Sequence, residues 1–205
     1  VDVVRLGILG GTFDPIHNGH LKLAQATYAR LGLSRVIFVP AADPPHKQET
    51  RITPIEYRLK MVELAIQSCL HFEVSHIDIE RPGPHYTVDM IARLREAHHL
   101  AAEDCFFIIG SDSLIDLPAW RAPEKLLQLC RLAVIHRPGY RPDLAALEAR
   151  FPDLSDRIDW VEATANPLSA TDLRLRIAKG EDVASLLPRG VWQYIQQQRL
   201  YRSES

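Results

Sequence analysis

Short β-branched runs alternate with longer amphipathic stretches along this 205-residue chain. Val3–Leu9, Arg35–Pro40, Cys105–Gly110 and Arg131–His136 are apolar almost throughout, as strands covered on both faces must be. Phe72–Ser75 and Ile158–Val161 are shorter candidates. Helical periodicity runs from Leu21 to Leu31, where Gly32 stops it, then from about Pro54, from Thr87 to His98, from Thr171 to Lys179 and from Arg189 to Gln198. Thr53 is placed to cap the second of these helices, with Glu56 at the positive end of its dipole. Strands alternating with helices imply an α/β fold with a doubly wound, mostly parallel sheet and C-terminal helices. No repeat or linker divides the sequence, so residues 1–205 read as one domain. Ligands of such sheets sit beyond the carboxyl ends of the strands. Chemistry is therefore expected after Leu9, Pro40, Gly110 and His136.

Composition narrows the partners. A net charge of -2 argues against a surface that binds nucleic acid throughout, so anions must be met by local clusters of Arg, Lys and His. No apolar run is long enough to cross a bilayer, and the opening Val1–Arg5 does not begin a signal peptide. Cys69, Cys105 and Cys130 each lie beside apolar residues without a C-x-x-C pair, which predicts buried thiols and suits a reducing cytoplasm. The histidines lack zinc spacing, so no structural metal is expected. The oligomeric state stays open, a homodimer included.

The loop after the first strand is Gly10-Gly11-Thr12-Phe13-Asp14-Pro15-Ile16-His17-Asn18-Gly19-His20. Its glycines allow a sharp turn and close approach to a ligand. The helix that follows begins near Gly19 and offers free N–H groups to an anion. His17 and His20, three apart, can face the same way and donate to phosphate oxygens, as imidazolium or as neutral imidazole. The loop has neither the Gly-Lys-Ser/Thr of a Walker A motif nor the G-x-G-x-x-G dinucleotide pattern. Near the other end, Ser169 and Thr171 stand at a helix start with Arg174 one turn later, a second candidate anion clamp.

Gly10–His20 resembles the H-x-G-H signature of the nucleotidyltransferase superfamily, and Leu168–Arg174 resembles its I-S-x-T-x-x-R motif, with Leu for Ile. The whole chain is similar to the bacterial nicotinate mononucleotide adenylyltransferases. That resemblance implies a Rossmann-like fold and adenylyl transfer from ATP to nicotinate mononucleotide in NAD biosynthesis. His17, His20 and Arg174 would be catalytic, with Mg²⁺ carried on ATP. It implies ATP contacts from Gly10, Gly11, Thr12, Phe13, Gly110, Asp112, Arg137, Ser169 and Thr171. It also implies mononucleotide contacts from His46 and Lys47 in Pro-Pro-His-Lys, from Tyr86 and Thr87 at a helix start, and from Trp120 stacking on the pyridine ring. His85 stands where the family usually has Ser. Arg58–Ile66 resembles a family helix, but its periodicity is that of core packing and no chemistry is assigned to it. Phosphopantetheine adenylyltransferases share the first motif but generally carry Thr or Ser at the place of His17. A nucleotide-binding regulator without turnover is the rival from another class.

Overall fold

The computed structural model describes residues 4–42, 52–163 and 168–202. Six strands form one sheet: β1 (Leu6–Gly11), β2 (Arg35–Pro40), β3 (Phe72–Val74), β4 (Cys105–Gly110), β5 (Arg131–Ile135) and β6 (Ile158–Val161). Their order is β3-β2-β1-β4-β5-β6, and every pair is parallel. Successive residues feed opposite faces. Ile8, Ile37, Phe107 and Val134 enter one core, and Leu9, Phe38, Ile108 and Ile135 enter the other. The first core packs on α3 (Thr87–Ala97), α4 (Ser111–Asp116), α5 (Pro123–Leu129) and α6 (Leu144–Arg150). The second packs on α1 (Asn18–Leu31), α2 (Ile55–Ile66), α7 (Ala170–Ala178) and α8 (Arg189–Gln198). Because β1 lies between β2 and β4, the chain turns opposite ways from the two central strands, and a crevice opens between the loops at their carboxyl ends.

Several expectations shift. β1 starts at Leu6, and Val4 before it is exposed. α1 begins at Asn18, three residues before the periodic stretch, because its first turn carries polar and small residues that show no apolar pattern. It ends as expected, with Gly32 left-handed at φ 58° and its N–H on the carbonyl of Tyr28. Thr53 does not cap α2. Pro54 is the boundary residue, and the main chain of Thr53 is engaged elsewhere, its N–H on Asp14 and its carbonyl on Arg58. Cys105 and Cys130 are buried, and burial raises both thiols, Cys105 to about 12. Cys69 departs from the expectation: it is partly exposed, with Sγ 3.2 Å from Nε2 of His71. No helix among the described residues is long and apolar enough to cross a membrane.

Candidate active site

The loop after β1 is shaped so that two imidazoles meet. A Cβ on Gly11 would stand 3.0 Å from the ring of Phe13, so a larger residue there would press on that buried ring. Phe13 itself is left-handed at φ 49° and 2% exposed, and its ring meets His20 edge-on at 5.1 Å. Phe13, expected on the ATP side, thus lies in the core and props His20 from beneath. His17 is the N-cap of α1, and its N–H donates to Nδ1 of His20 at 3.2 Å. An imidazole that accepts at Nδ1 carries its proton on Nε2. The two rings stack with centroids 3.8 Å apart.

Charge follows from this packing. Burial, and then the Arg137 guanidinium, lower His17 to about 4. Burial, then His17, then Arg137 hold His20 well below the ordinary histidine range. At neutral pH the free protein therefore holds two neutral imidazoles, which act as hydrogen-bond donors without charge. The same depression makes stability depend on pH. The unfolded chain binds these protons near pH 6.5, while the folded chain takes up that of His17 only near pH 4. Stability from His17 is thus present above pH 6.5 and lost as pH falls to 4, by about 3 kcal/mol. Urea unfolding of wild type and His17→Gln across that window should show the variant losing less; parallel curves would refute this.

A cleft of about 640 Å³ opens beside the pair, along the carboxyl ends of β1 and β4. Gly10, Gly11, Thr12, His20, Gly110 and Arg137 line it together with Tyr86, Thr87 and Trp120. A smaller recess, about 50 Å³, lies between His17, His20 and Lys22 on one side and His136 and Arg137 on the other. His20, Leu23 and Arg137 border both spaces, so a ligand reaching from one to the other passes these three side chains. Another large recess, about 700 Å³, lies near Ile177, Trp192 and Gln196 and gathers none of the motif residues.

Arg137 is held by Asp112, Nη1 to Oδ2 at 3.0 Å. A Cβ on Gly110 would lie 2.3 Å from Oδ1 of Asp112 and 2.8 Å from Nε of Arg137, so glycine lets this pair lie flat over the strand end. Oδ1 of Asp112 and Nδ1 of His17 are buried polar atoms with no partner among the described residues. Buried groups of this kind ordinarily find a partner, and a nucleotide can supply one. In the wall of the same cleft, Tyr86 is the N-cap of α3, which puts the first-turn N–H groups of that helix beside Thr87. Trp120 stands edge-on to Phe107, with centroids 6.0 Å apart. His46 and Lys47 lie outside the described residues.

The rear motif reaches the front loop, though by a different contact from the expected clamp. Ser169 is the N-cap of α7 without a side-chain capping bond. Arg174 donates to the carbonyl of Asp14 at 2.7 Å and to Oγ1 of Thr171 at 3.3 Å. Arg174 therefore grips the backbone three residues before His17. Ser169 and Thr171 are exposed, and of this motif Leu168 borders the smaller recess.

Two supports carry little sign in the sequence. Arg58, 2% exposed, donates to four main-chain carbonyls: Thr53 at 2.7 Å, Thr12 and Ala41 at 2.8 Å, and Ala42 at 3.2 Å. Burial lowers its guanidinium and neighbouring Asp14 opposes that shift. Asp14, 3% exposed, accepts from Tyr201 Oη at 2.6 Å and from the N–H of Thr53 at 3.2 Å. The one signal for Arg58 is an arginine at the first core-facing position of the stripe Arg58, Met61, Val62, Ala65.

A doubly wound parallel sheet with paired imidazoles beyond its first strand defines a nucleotide-binding α/β protein built for phosphate chemistry. The chain belongs to the cytidylyltransferase-like family, whose model matches residues 8–176. It is similar to the probable nicotinate-nucleotide adenylyltransferase of Thermomicrobium roseum, with 45% identity over 97% of this chain and 92% of the relative. The protein of the same name in Roseiflexus sp. (strain RS-1) is 43% identical over 96% of this chain and 98% of its own length. Among solved structures, Plasmodium falciparum nicotinic acid mononucleotide adenylyltransferase complexed with NaAD superposes with a TM-score of 0.76 at 20% identity, over 97% of both chains. The same enzyme complexed with APC gives a TM-score of 0.74 at 20% identity, over 96% of both chains. At that identity the likeness establishes the fold.

Proposed function

We infer that this chain transfers the adenylyl group of ATP to nicotinate mononucleotide, forming nicotinate adenine dinucleotide and pyrophosphate. A phosphate oxygen of the mononucleotide attacks the α-phosphorus in line. The bond from that phosphorus to the bridging oxygen breaks, and pyrophosphate leaves with the electron pair. The attacker is already an anion at neutral pH, so the protein needs to supply position and charge stabilisation, with no nucleophile or strong base. The observation that carries this reading is the stacked His17–His20 pair beside Arg137, where the two recesses meet.

His20 donates from Nε2 to the reacting phosphate, and His17 is a second donor. Arg174 acts on the same loop and, with Ser169 and Thr171, serves the ATP side. Gly10, Gly11, Thr12, Gly110, Asp112 and Arg137 complete that side. Tyr86, Thr87 and Trp120 take the pyridine ring, because an aromatic, half-apolar slot suits a flat heterocycle and first-turn N–H groups suit its carboxylate. His46 and Lys47 are assigned to the mononucleotide from the resemblance alone. Mg²⁺ rides on the triphosphate, and residues 1–205 act as one domain in an ATP-rich cytoplasm. The names of the relatives support the reading.

The test is a coupled pyrophosphate-release assay with ATP and either nicotinate or nicotinamide mononucleotide. A strong preference for the acid is expected. Equal use of the two would overturn the specificity, and no release with either would overturn the activity.

A further inference from the structure

The cleft carries an acidic group in its wall, close to Tyr86. Asp78, 4% exposed, borders the same cleft as Tyr86, Thr87 and His85. A carboxylate in the wall of a slot meant for an anionic ring should repel it. Arg81 removes the conflict. Its Nε and Nη2 both donate to Oδ1 of Asp78, at 3.0 and 2.8 Å, and the two side chains are 8% and 6% exposed. The same guanidinium reaches the carbonyl of Pro84 at 3.2 Å, and the carbonyl of Arg81 lies 3.0 Å from Nε2 of His85. A carbonyl can only accept, so His85 carries its proton on Nε2 there. One buried ion pair thus neutralises the wall and holds the turn that leads into α3.

We propose that the Asp78–Arg81 pair determines specificity for the ring substituent of the mononucleotide: its charge balance admits a carboxylate and sets the preference for acid over amide. This rests on the function proposed above. Asp78 lines the cleft, and Arg81 acts through its pairing with Asp78, on the ring of the substrate. In Arg81→Gln the Asp78 carboxylate is left facing the slot without its cation. In Asp78→Asn the guanidinium is left without its anion. The double variant restores neutrality.

The experiment measures kcat/KM for nicotinate and nicotinamide mononucleotides at fixed pH and ATP in wild type and these three variants. Arg81→Gln should lower the acid-to-amide ratio by about 10-fold or more, since a like charge near an anion disfavours it. Asp78→Asn should raise the ratio, and the double variant should return it to within a few-fold of wild type. The amide is the internal control, because damage to the turn lowers both substrates together and leaves the ratio fixed. Should Arg81→Gln fail to fold, Asp78→Asn and the double variant still decide. A wild type that discriminates while every folded variant keeps its ratio would overturn this inference alone. A wild type that releases pyrophosphate with neither mononucleotide would overturn the proposed function and this inference together.

Discussion

His20→Asn is expected to lower kcat by about 10²–10³-fold, the usual loss when one positioned donor to a developing charge is removed. Asparagine is chosen because its side-chain oxygen can still accept the His17 N–H that Nδ1 of His20 now accepts at 3.2 Å. The helix start keeps its cap while the Nε2 donor disappears. Thermal unfolding should therefore stay close to wild type, within about 2–4 °C, the shift expected for about 1 kcal/mol in a chain of this size. Pyrophosphate release and a melting curve on the same preparation check both halves. Near-normal turnover would remove His20 from the chemistry, and a collapse of the melt would make it a structural residue.

Arg58→Met should cost far more stability than His20→Asn or His17→Gln. Methionine fills much of the arginine volume but leaves the carbonyls of Thr12, Ala41, Ala42 and Thr53 without their donors. Each unsatisfied buried acceptor costs about 1–3 kcal/mol, and neighbouring Asp14 also loses its compensating charge. Because contributions within one network do not add, about 4 kcal/mol is the expected total. At about 2–4 °C per kcal/mol, that lowers Tm by about 8–16 °C. Arg58→Lys should recover less than half of the loss, since one ammonium cannot span four carbonyls held by a planar fork. Differential scanning calorimetry decides; a Met variant that melts within a few degrees of wild type would show that the carbonyls find other donors.

The contrast between these two residues explains what can be read from the sequence. The central strands are legible because a strand covered on both faces must be apolar at every position, and Cys105–Gly110 is so. α4, α5 and α6 are not, since six or seven residues are too few to display a 3.6-residue period. His17 and His20 announce themselves through spacing and glycines. Their charge state does not, because it is set by burial and by Arg137, which arrives from the end of β5. Arg58 reads as part of a packing helix, and it does pack. Its chemistry depends on which carbonyls the fold brings to it, and no local pattern encodes that. Arg174 stands out in the sequence as a candidate anion-binding cation, while its contact with the Asp14 carbonyl depends on the tertiary path.

Asp14 ties together segments that lie far apart along the polypeptide. Tyr201 joins its carboxylate across 187 positions, Arg174 its carbonyl across 160, and Thr53 its other oxygen across 39. Contacts of such long range form late, after the loops between them have closed. During synthesis, then, Asp14 emerges 187 positions ahead of Tyr201, and the imidazole-bearing turn waits for that intervening polypeptide before its geometry is set. A ribosome that stalls short of Tyr201 releases a product whose imidazole-bearing loop still lacks one of its anchors.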